Sequence, residues 1–307
     1  MTSAAETSLP VPSYELRARR SPIQRVWRIA RKKPIGAVAC VVCILLVLVA
    51  VFAGQLAPHP VDAQRFPRLQ APSATYPMGT DNLFRDMFSR IIVSSRISLG
   101  VGFGAVFVGT VLGTVLGMLG GYLGGWVDLL IGRLLDVMLG FPPLVFLIFF
   151  LSIFNSKGGY SMQSYLLVSL AIGIIIAPTT ARIVRGSVLS IRNLQYIEAA
   201  QCVGNSANRI MWRHVLPNVV APIIVIASIQ IGNAILAEAA LSFLGLGIAN
   251  ATHPSWGAML QDTRAVWERA WWTAFMPGLA ISLAVLSFNL FGDALRDILD
   301  PRLRQGS

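Results

Sequence analysis

The residues that could do metal or nucleophilic chemistry are few in this sequence. Cys40 and Cys43 have the C-x-x-C spacing of many zinc and redox sites, but they lie in an apolar run and no second ligand pair accompanies them. The three histidines are His59, His214 and His253, which are distant from one another along the chain. The sequence therefore predicts no catalytic residue and no metal site, and the two cysteines are interpreted as packing residues.

One polar, arginine-bearing segment stands between two long apolar runs, and it has the features of a docking surface. It reads YIEAAQCVGNSANRIMWRHVLPN over residues 196–218. Glu198 lies in a helix-forming Glu-Ala-Ala stretch, and Gly204 can supply the left-handed turn that ends this helix. Asn205 or Ser206 can then cap a second, short helix. We expect a helix–turn–helix elbow whose alanines leave a shallow surface and whose carboxylate offers an ion-pair contact.

Apolar side chains dominate the composition, which indicates a membrane protein. Hydrophobic residues make up 55% of the 307 residues, charged residues only 13%, and the mean hydropathy is +0.66. A soluble domain carries roughly 25% charged residues. Because ~20 apolar residues cross a bilayer as a helix, the charge-free runs predict an all-α membrane protein with six transmembrane helices. These runs are 34–61, 97–127, 137–156, 158–181, 215–237 and 270–292.

A seventh charge-free run, residues 239–261, is interpreted as a loop because it holds several glycines and polar residues and a proline. The chain is then expected to have a basic N-terminal segment, a first span, an outer loop, a core of five spans that contains the elbow, and a C-terminal tail. The predicted bounds are 1–33, 34–57, 58–96, 97–293 and 294–307, with core spans at about 97–121, 137–156, 160–181, 215–238 and 272–292 and a polar loop at 182–217.

The formal net charge of +11 is interpreted as a topology signal and not as a nucleic-acid site. Eight lysines and arginines precede the first span, and the loop at 182–217 is also basic. Since cytoplasmic loops retain basic residues, both chain ends and this loop are expected in the cytoplasm. The helix that precedes the loop is expected to continue from Arg182 as far as Glu198. The five arginines of the outer loop oppose this bias.

A row of glycines in the second span predicts close helix packing. Gly109, Gly113, Gly117 and Gly121 recur every four residues and therefore lie on one face of a helix. A face without side chains lets a second helix approach closely inside a bilayer.

The Glu-Ala-Ala segment resembles the EAA loop of permease subunits from ABC importers. Three further stretches, at 78–100, 237–260 and 289–304, narrow the resemblance to C-type subunits of the dipeptide, oligopeptide and nickel branch. The likeness runs from about residue 21 to residue 304, although Phe84 stands where this family usually has Gly in a TDxLGRD pattern. A second Glu-Ala-Ala at 238–240 lacks the downstream Leu-Pro. The positions that match the EAA loop are Glu198, Ala199, Ala200, Gly204, Ile210, Leu216 and Pro217.

The resemblance implies a type I ABC importer permease fold and a transport function. Such a subunit pairs with a homologous second permease chain, docks two cytoplasmic ATPase subunits through coupling elbows, and receives its solute from an extracytoplasmic binding protein. The chain contains no G-x-x-x-x-G-K-[S/T] phosphate loop. We therefore expect that ATP and Mg are used by the partner ATPases, that this chain binds no cofactor, and that it is not an enzyme by itself.

Two alternatives stay open at this point. A secondary transporter or channel is the rival of another class, although its ionisable groups would be expected at the middle of the spans. Within the family, nickel or an oligosaccharide is the alternative to a peptide cargo. Glu238, near the outer end of the fifth span, is a candidate for either a structural hydrogen bond or an outer gate.

Overall fold

The described chain is a bundle of helices. The computed structural model describes residues 31, 33–154 and 160–299. Within these ranges the only extended pairing is the bridge between Thr80 and Asp86. The helices are α1 (Pro34–Val51), α2 (Ala53–Leu56), α3 (Met87–Leu123), α4 (Gly125–Gly140), α5 (Pro143–Phe154), α6 (Met162–Ile191), α7 (Gln195–Cys202), α8 (Ala207–Ile210), a π-helical turn (Met211–Val215), α9 (Leu216–Phe243), α10 (Trp256–Asp262) and α11 (Trp272–Leu299).

Among the described residues, five helical stretches are long and apolar enough to cross a membrane. They are α1, α3, α6, α11 and the continuous stretch Ala207–Phe243. A sixth crossing is obtained when α4 and α5, which are bent by 92° at their junction, are taken as one broken span. The predicted all-α class is confirmed, and the described residues provide five or six candidate spans for the six that were predicted.

The helix that contains the predicted second span is longer than the charge-free run, because α3 begins at Met87, ten residues before residue 97. The Asp86 side chain caps α3 by accepting a hydrogen bond from the Ser89 amide. The arginines within α3 form hydrogen bonds with other parts of the chain, and the helix continues past them. Arg96 donates to the carbonyls of Ala50 and Val51, at 2.9 and 3.0 Å, where α1 ends.

Over its described residues, 137–154, the predicted third span is divided between two helices. Its first residues close α4, and Phe141 then takes an extended conformation at ψ 133°. Because a residue before proline is kept out of the helical region, the Pro142–Pro143 pair places a corner here. The 239–261 loop is likewise shorter than predicted, since α9 continues to Phe243 and α10 occupies Trp256–Asp262.

The glycine row of α3 lies directly against the backbone of α6. A Cβ atom at Gly113 would stand 2.7 Å from the carbonyl oxygen of Ala177, and one at Gly117 would stand 2.5 Å from that of Ala181. Gly109 and Gly121 meet α6 in the same way, one helical repeat before and after. These distances leave no room for a side chain, so the two helices pack with their backbones in contact.

The helix ends define two ends of the bundle. The elbow end carries the start of α1, the ends of α3, α6 and α11, and the start of α9. It is held in part by an ion pair of 2.6 Å between Lys33 and Asp297. The opposite end carries the loop before α3 and the segment around α10, where the Trp272 indole donates to the Thr80 carbonyl at 3.2 Å.

Candidate functional site

The elbow comprises residues 192–215, between α6 and α9. The expected continuous helix from Arg182 to Glu198 is wrong, because α6 ends at Ile191 and a short break separates it from α7. Leu194 is extended, with ψ 144°, at the head of α7. Because of this break, the Glu-Ala-Ala stretch belongs to a separate short helix and not to the tail of a span.

Gly204 forms the corner of the elbow. Its φ of +85° lies in the left-handed region, which non-glycine residues rarely adopt. The Gly204 amide donates to the Gln201 carbonyl at 2.9 Å, and the Asn205 amide donates to the Ala200 carbonyl at 3.2 Å. This pair of bonds is a Schellman motif, which satisfies carbonyl groups left open at the end of α7. The Asn205 side-chain amide donates to the same Ala200 carbonyl at 3.1 Å.

The second leg of the elbow returns the chain to the bundle. Ser206 caps α8 by accepting a hydrogen bond from the Arg209 amide, so the cap is the serine of the two predicted candidates. The helix then widens into the π-helical turn at Met211–Val215 before α9 begins at Leu216. Pro217 is the second residue of α9 and follows the π-helical turn directly, so the helical stretch continues although Pro217 has no N–H to donate to the preceding turn.

One face of the elbow is buried in the bundle. Ile197 is fully buried, and Ile210 is 1% exposed. Together with Ala200 they belong to a cluster formed by residues of α3, α6, the elbow and α9. The buried members of the cluster are Met118, Val184, Val188, Ile197, Ala200, Ile210, Met211, Val215 and Val219. The elbow is thus seated on the spans by apolar contacts that fix its orientation.

The other face of the elbow is open. Glu198 and Ala199 are exposed, and within the described residues the Glu198 carboxylate forms no ion pair. The elbow also carries exposed apolar side chains, since Val203 is 83% exposed and Trp212 is 54% exposed. An unpaired carboxylate on a surface with exposed apolar groups is suited to contact with another protein.

Glu238 lies at the opposite end and is 1% exposed. The Ser242 hydroxyl donates to its Oε1 at 2.6 Å. Ser98 of α3 and Ser255, which caps α10, lie near the carboxyl group, whose other oxygen, Oε2, is buried without a hydrogen-bond partner among the described residues. The geometry therefore places Glu238 where α3, α9 and α10 meet. A structural hydrogen bond accounts for these contacts, and a role of Glu238 as an outer gate stays a prediction.

Two family models match the chain. The binding-protein-dependent transport system inner membrane component matches residues 109–305, which include α6, the elbow and α9. The N-terminal TM domain of oligopeptide transport permease C matches residues 21–72. The chain belongs to the family of binding-protein-dependent transport system inner membrane components. It is the permease of an ABC importer, as the EAA resemblance implied.

Full-length relatives agree with this assignment. The dipeptide transport system permease protein DppC of Alkalihalophilus pseudofirmus is 41% identical over 97% of this chain and 96% of its own. The glutathione transport system permease protein GsiD of Shigella flexneri is 41% identical over 93% of this chain and 92% of its own. A solved structure of the MetNI methionine ABC transporter shares the fold, with a TM-score of 0.57 at 16% identity, over 70% of this chain and 98% of that chain.

The opposite end of this permease holds a buried charge network that the sequence did not reveal. Arg85 and Arg90 both contact Asp81 and Asp262, at distances between 2.6 and 3.3 Å. The two arginines and Asp81 are nearly inaccessible to solvent, with side chains 3–7% exposed. Burial raises the pKa of Asp262, and the nearby Arg85 guanidinium opposes that shift. The network joins the loop before α3 to α10, which is a contact between residues 172 or more positions apart.

Phe84 lies in the same loop, and its backbone conformation explains why related permeases usually have glycine at this position. Its φ is +60°, so it occupies the left-handed region. Glycine adopts this conformation without strain, whereas a bulky side chain adopts it at a cost. The chain keeps the turn even with phenylalanine, and the Phe84 carbonyl accepts a hydrogen bond from the Phe66 amide at 3.2 Å.

Proposed function

We propose that this permease imports di- or oligopeptides and that its elbow is the docking site of a cytosolic ATPase subunit. The observation that supports the docking role is the division of the elbow into two faces. One face is fixed to the spans through Ile197 and Ile210, and the other presents an unpaired Glu198. In this proposal Glu198 pairs with a basic residue of the ATPase, and Gly204 shapes the corner that enters its surface.

The buried face of the elbow, which packs on the spans, allows the elbow to transmit a displacement to α6 and α9. Ile197 and Ala200 pack against Val184 and Val188 near the end of α6, while Val215 continues into α9. A displacement imposed on the open face therefore moves α6 and α9 with it, because closely packed side chains resist independent motion. Nucleotide binding and hydrolysis in the ATPases would then alternate the access of the pathway between the two sides of the membrane.

The remaining assignments follow from this arrangement. The elbow end faces the cytoplasm of a bacterium, and the chain lies in the cytoplasmic membrane beside a homologous second permease. A binding protein delivers the solute at the opposite end. ATP and Mg are bound by the ATPase subunits, and the permease itself catalyses no reaction.

A peptide cargo is supported by the relatives. The names of the two full-length relatives refer to dipeptide and to glutathione transport, and both share 41% identity with this chain. Reconstitution of the complete complex in proteoliposomes tests the cargo. We expect ATP-dependent uptake of labelled di- and tripeptides, and preferential uptake of nickel or of an oligosaccharide would contradict the peptide assignment. Uptake by the permease without ATPase subunits would instead indicate a secondary transporter or channel.

The docking role of Glu198 is tested by Glu198→Lys. We expect the affinity for the ATPase to fall roughly 10-fold or more, because reversal of one partner leaves like charges facing each other at the interface. The measurement is co-purification of the ATPase with the permease over a range of ATPase concentrations. Glu268→Lys makes the same charge change at an exposed position near the opposite end and serves as the control. Equal ATPase binding by the two variants would refute the assigned contact.

A further inference from the structure

Three polar contacts connect the elbow side of the molecule to one short corner, residues 121–128, where α3 ends and α4 begins. They come from the last turns of α6, from the break after α6 and from α7. All three reach across the chain, over sequence separations of 57 to 79 residues. The contacts are Arg185 to Asp128, Arg192 to the Gly121 carbonyl, and Gln201 to the Tyr122 hydroxyl.

The contact between Arg185 and Asp128 is the strongest of the three by geometry. Nε donates to Oδ1 at 2.5 Å and Nη2 donates to Oδ2 at 2.6 Å, so the guanidinium binds both carboxylate oxygens. Such two-point pairs fix orientation as well as distance. The Asp128 side chain is 24% exposed and that of Arg185 is 39% exposed. A second pair, Arg182 with Asp136, has one contact of 2.6 Å, and both side chains are more than half exposed.

Of the three contacts, the pair of Arg185 with Asp128 is the one that reaches α4, and apolar burial contributes little to holding this helix. Leu135 is the only buried residue among the sixteen of α4. Large apolar side chains along the helix stay open, including Trp126 at 77% and Leu130 at 64% exposure. At the corner itself Gly124 and Gly125 have φ values of +67° and +53°. Two successive glycines in this region form a joint that does not by itself hold α4 in one direction.

We propose that Asp128 is a positioning residue for coupling: through Arg185 it fixes α4 to α6, so that a displacement of the elbow also moves α4 and the 92° corner between α4 and α5. This inference rests on the proposed function, since it requires that an ATPase displaces the elbow. Asp128 acts through Arg185 and does not itself contact the solute or the ATPase. Loss of the contact would leave the ATPase bound but the movement incompletely transmitted.

The test uses the complete complex in proteoliposomes and measures the ratio of solute transported to ATP hydrolysed. Asp128→Ala is expected to lower this ratio several-fold, because α4 is then no longer tied to α6 by a two-point contact. Co-purification of the ATPase should stay at the level of the unaltered complex. Asp128→Glu keeps a carboxylate and should restore the ratio. Asp136→Ala removes the more exposed pair on the same helix and is the matched control, with an expected ratio near that of the unaltered complex.

A purely structural role gives a different result. If Asp128→Ala lowers the yield of the complex but leaves transport per ATP unchanged, the proposal is overturned. Loss of ATPase binding in this variant would also overturn it, because Asp128 would then belong to the docking surface. If Asp128→Ala does not accumulate, Arg185→Lys replaces it, since lysine keeps the charge but not the two-point geometry. Failure of the proposed function gives results different from failure of this inference. It would appear as normal ATPase binding by Glu198→Lys or as uptake without ATPase.

Discussion

Gly204 shows how one residue determines the shape of the elbow. A Cβ atom at this position would meet no other atom within 4 Å, so space is not the reason for glycine. The reason is the backbone, because φ is +85° and both Schellman hydrogen bonds depend on that angle. A side chain at Gly204 therefore acts on the direction of the second leg and not on packing.

Replacement of Gly204 by valine tests this directly. A β-branched residue in the left-handed region costs roughly 1–3 kcal/mol locally, which we expect to be relieved by opening of the corner. Transport should be lost while the protein still assembles in the membrane, because the seated face is untouched. The measurement is ATP-dependent uptake together with the amount of membrane-inserted protein.

Gly186→Val is the control for this experiment. Gly186 is exposed in α6 and has an ordinary helical backbone, and a Cβ added there would meet no atom within 4 Å. We expect normal uptake by this variant. Normal uptake by Gly204→Val as well would count against the role assigned to the corner.

Residue-level features were predictable from the sequence where their causes are local. Gly204 and the Ser206 cap follow from which residues tolerate a left-handed turn or accept from a free amide, and the structure uses both. The contact of Arg185 with Asp128 has no local signal, since 57 residues separate the two and only the packing of α3 on α6 brings them together.

At the scale of elements, the glycine row makes α3 and α6 a closely packed pair. A leucine at Gly113 would place its Cβ 2.6 Å from that of Thr180 and 2.7 Å from the Ala177 carbonyl oxygen. The backbones must then separate, because neither the carbonyl nor the Thr180 Cβ can move away as a flexible side chain would. The cluster that seats the elbow draws on both helices through Met118 and Val184, so the separation would also reach the elbow.

Gly113→Leu is therefore expected to destabilise the protein by ~1–3 kcal/mol, the usual cost of overpacking. The thermal unfolding midpoint of the purified permease measures the effect. Gly278→Leu makes the same change in α11, where the added atom meets nothing within 4 Å, and should leave the midpoint nearly unchanged. An unaltered midpoint for Gly113→Leu would dismiss this helix face as a packing surface.

The helix bounds were harder to predict than the helix faces, and the errors have one cause. A charge-free run locates the part of a helix that contacts lipid, but it ends wherever an arginine or aspartate appears. In α3 the helix continues through Arg90 and Arg96, because each finds partners at the opposite end of the bundle. In the third predicted span the run hides a corner, because two prolines carry no charge and so leave the run unbroken.

At the scale of the whole molecule, one helix connects the two functional ends. α3 has 37 residues and is therefore about 55 Å long at 1.5 Å per residue. Its first turns carry Arg90 of the buried charge network, and its last turn lies beside the elbow through Tyr122. The network anchors α10 and the loop before α3 to this helix, so one continuous packed element joins the elbow to the opposite end of the bundle.

The proposed docking role requires that the elbow lies on the cytoplasmic side of the membrane. A cysteine on the elbow allows this side to be determined by labelling. Of its three cysteines, Cys43 is buried, Cys40 is partly buried in the apolar α1, and Cys202 is exposed on the elbow. A membrane-impermeant maleimide applied to intact cells should leave Cys202 unlabelled, and the same reagent should label it once the cytoplasmic face is made accessible. Glu268→Cys supplies the control, since an exposed thiol near the opposite end should react from outside.

Bound ATPase should then protect Cys202, because Cys202 and Glu198 lie four residues apart and therefore on neighbouring turns of α7. Labelling of Cys202 in intact cells would show that the elbow lies outside the cell, where no cytosolic ATPase can bind it. Protection of Cys202 by the ATPase would show in one measurement that the elbow is cytoplasmic and that the ATPase docks on it.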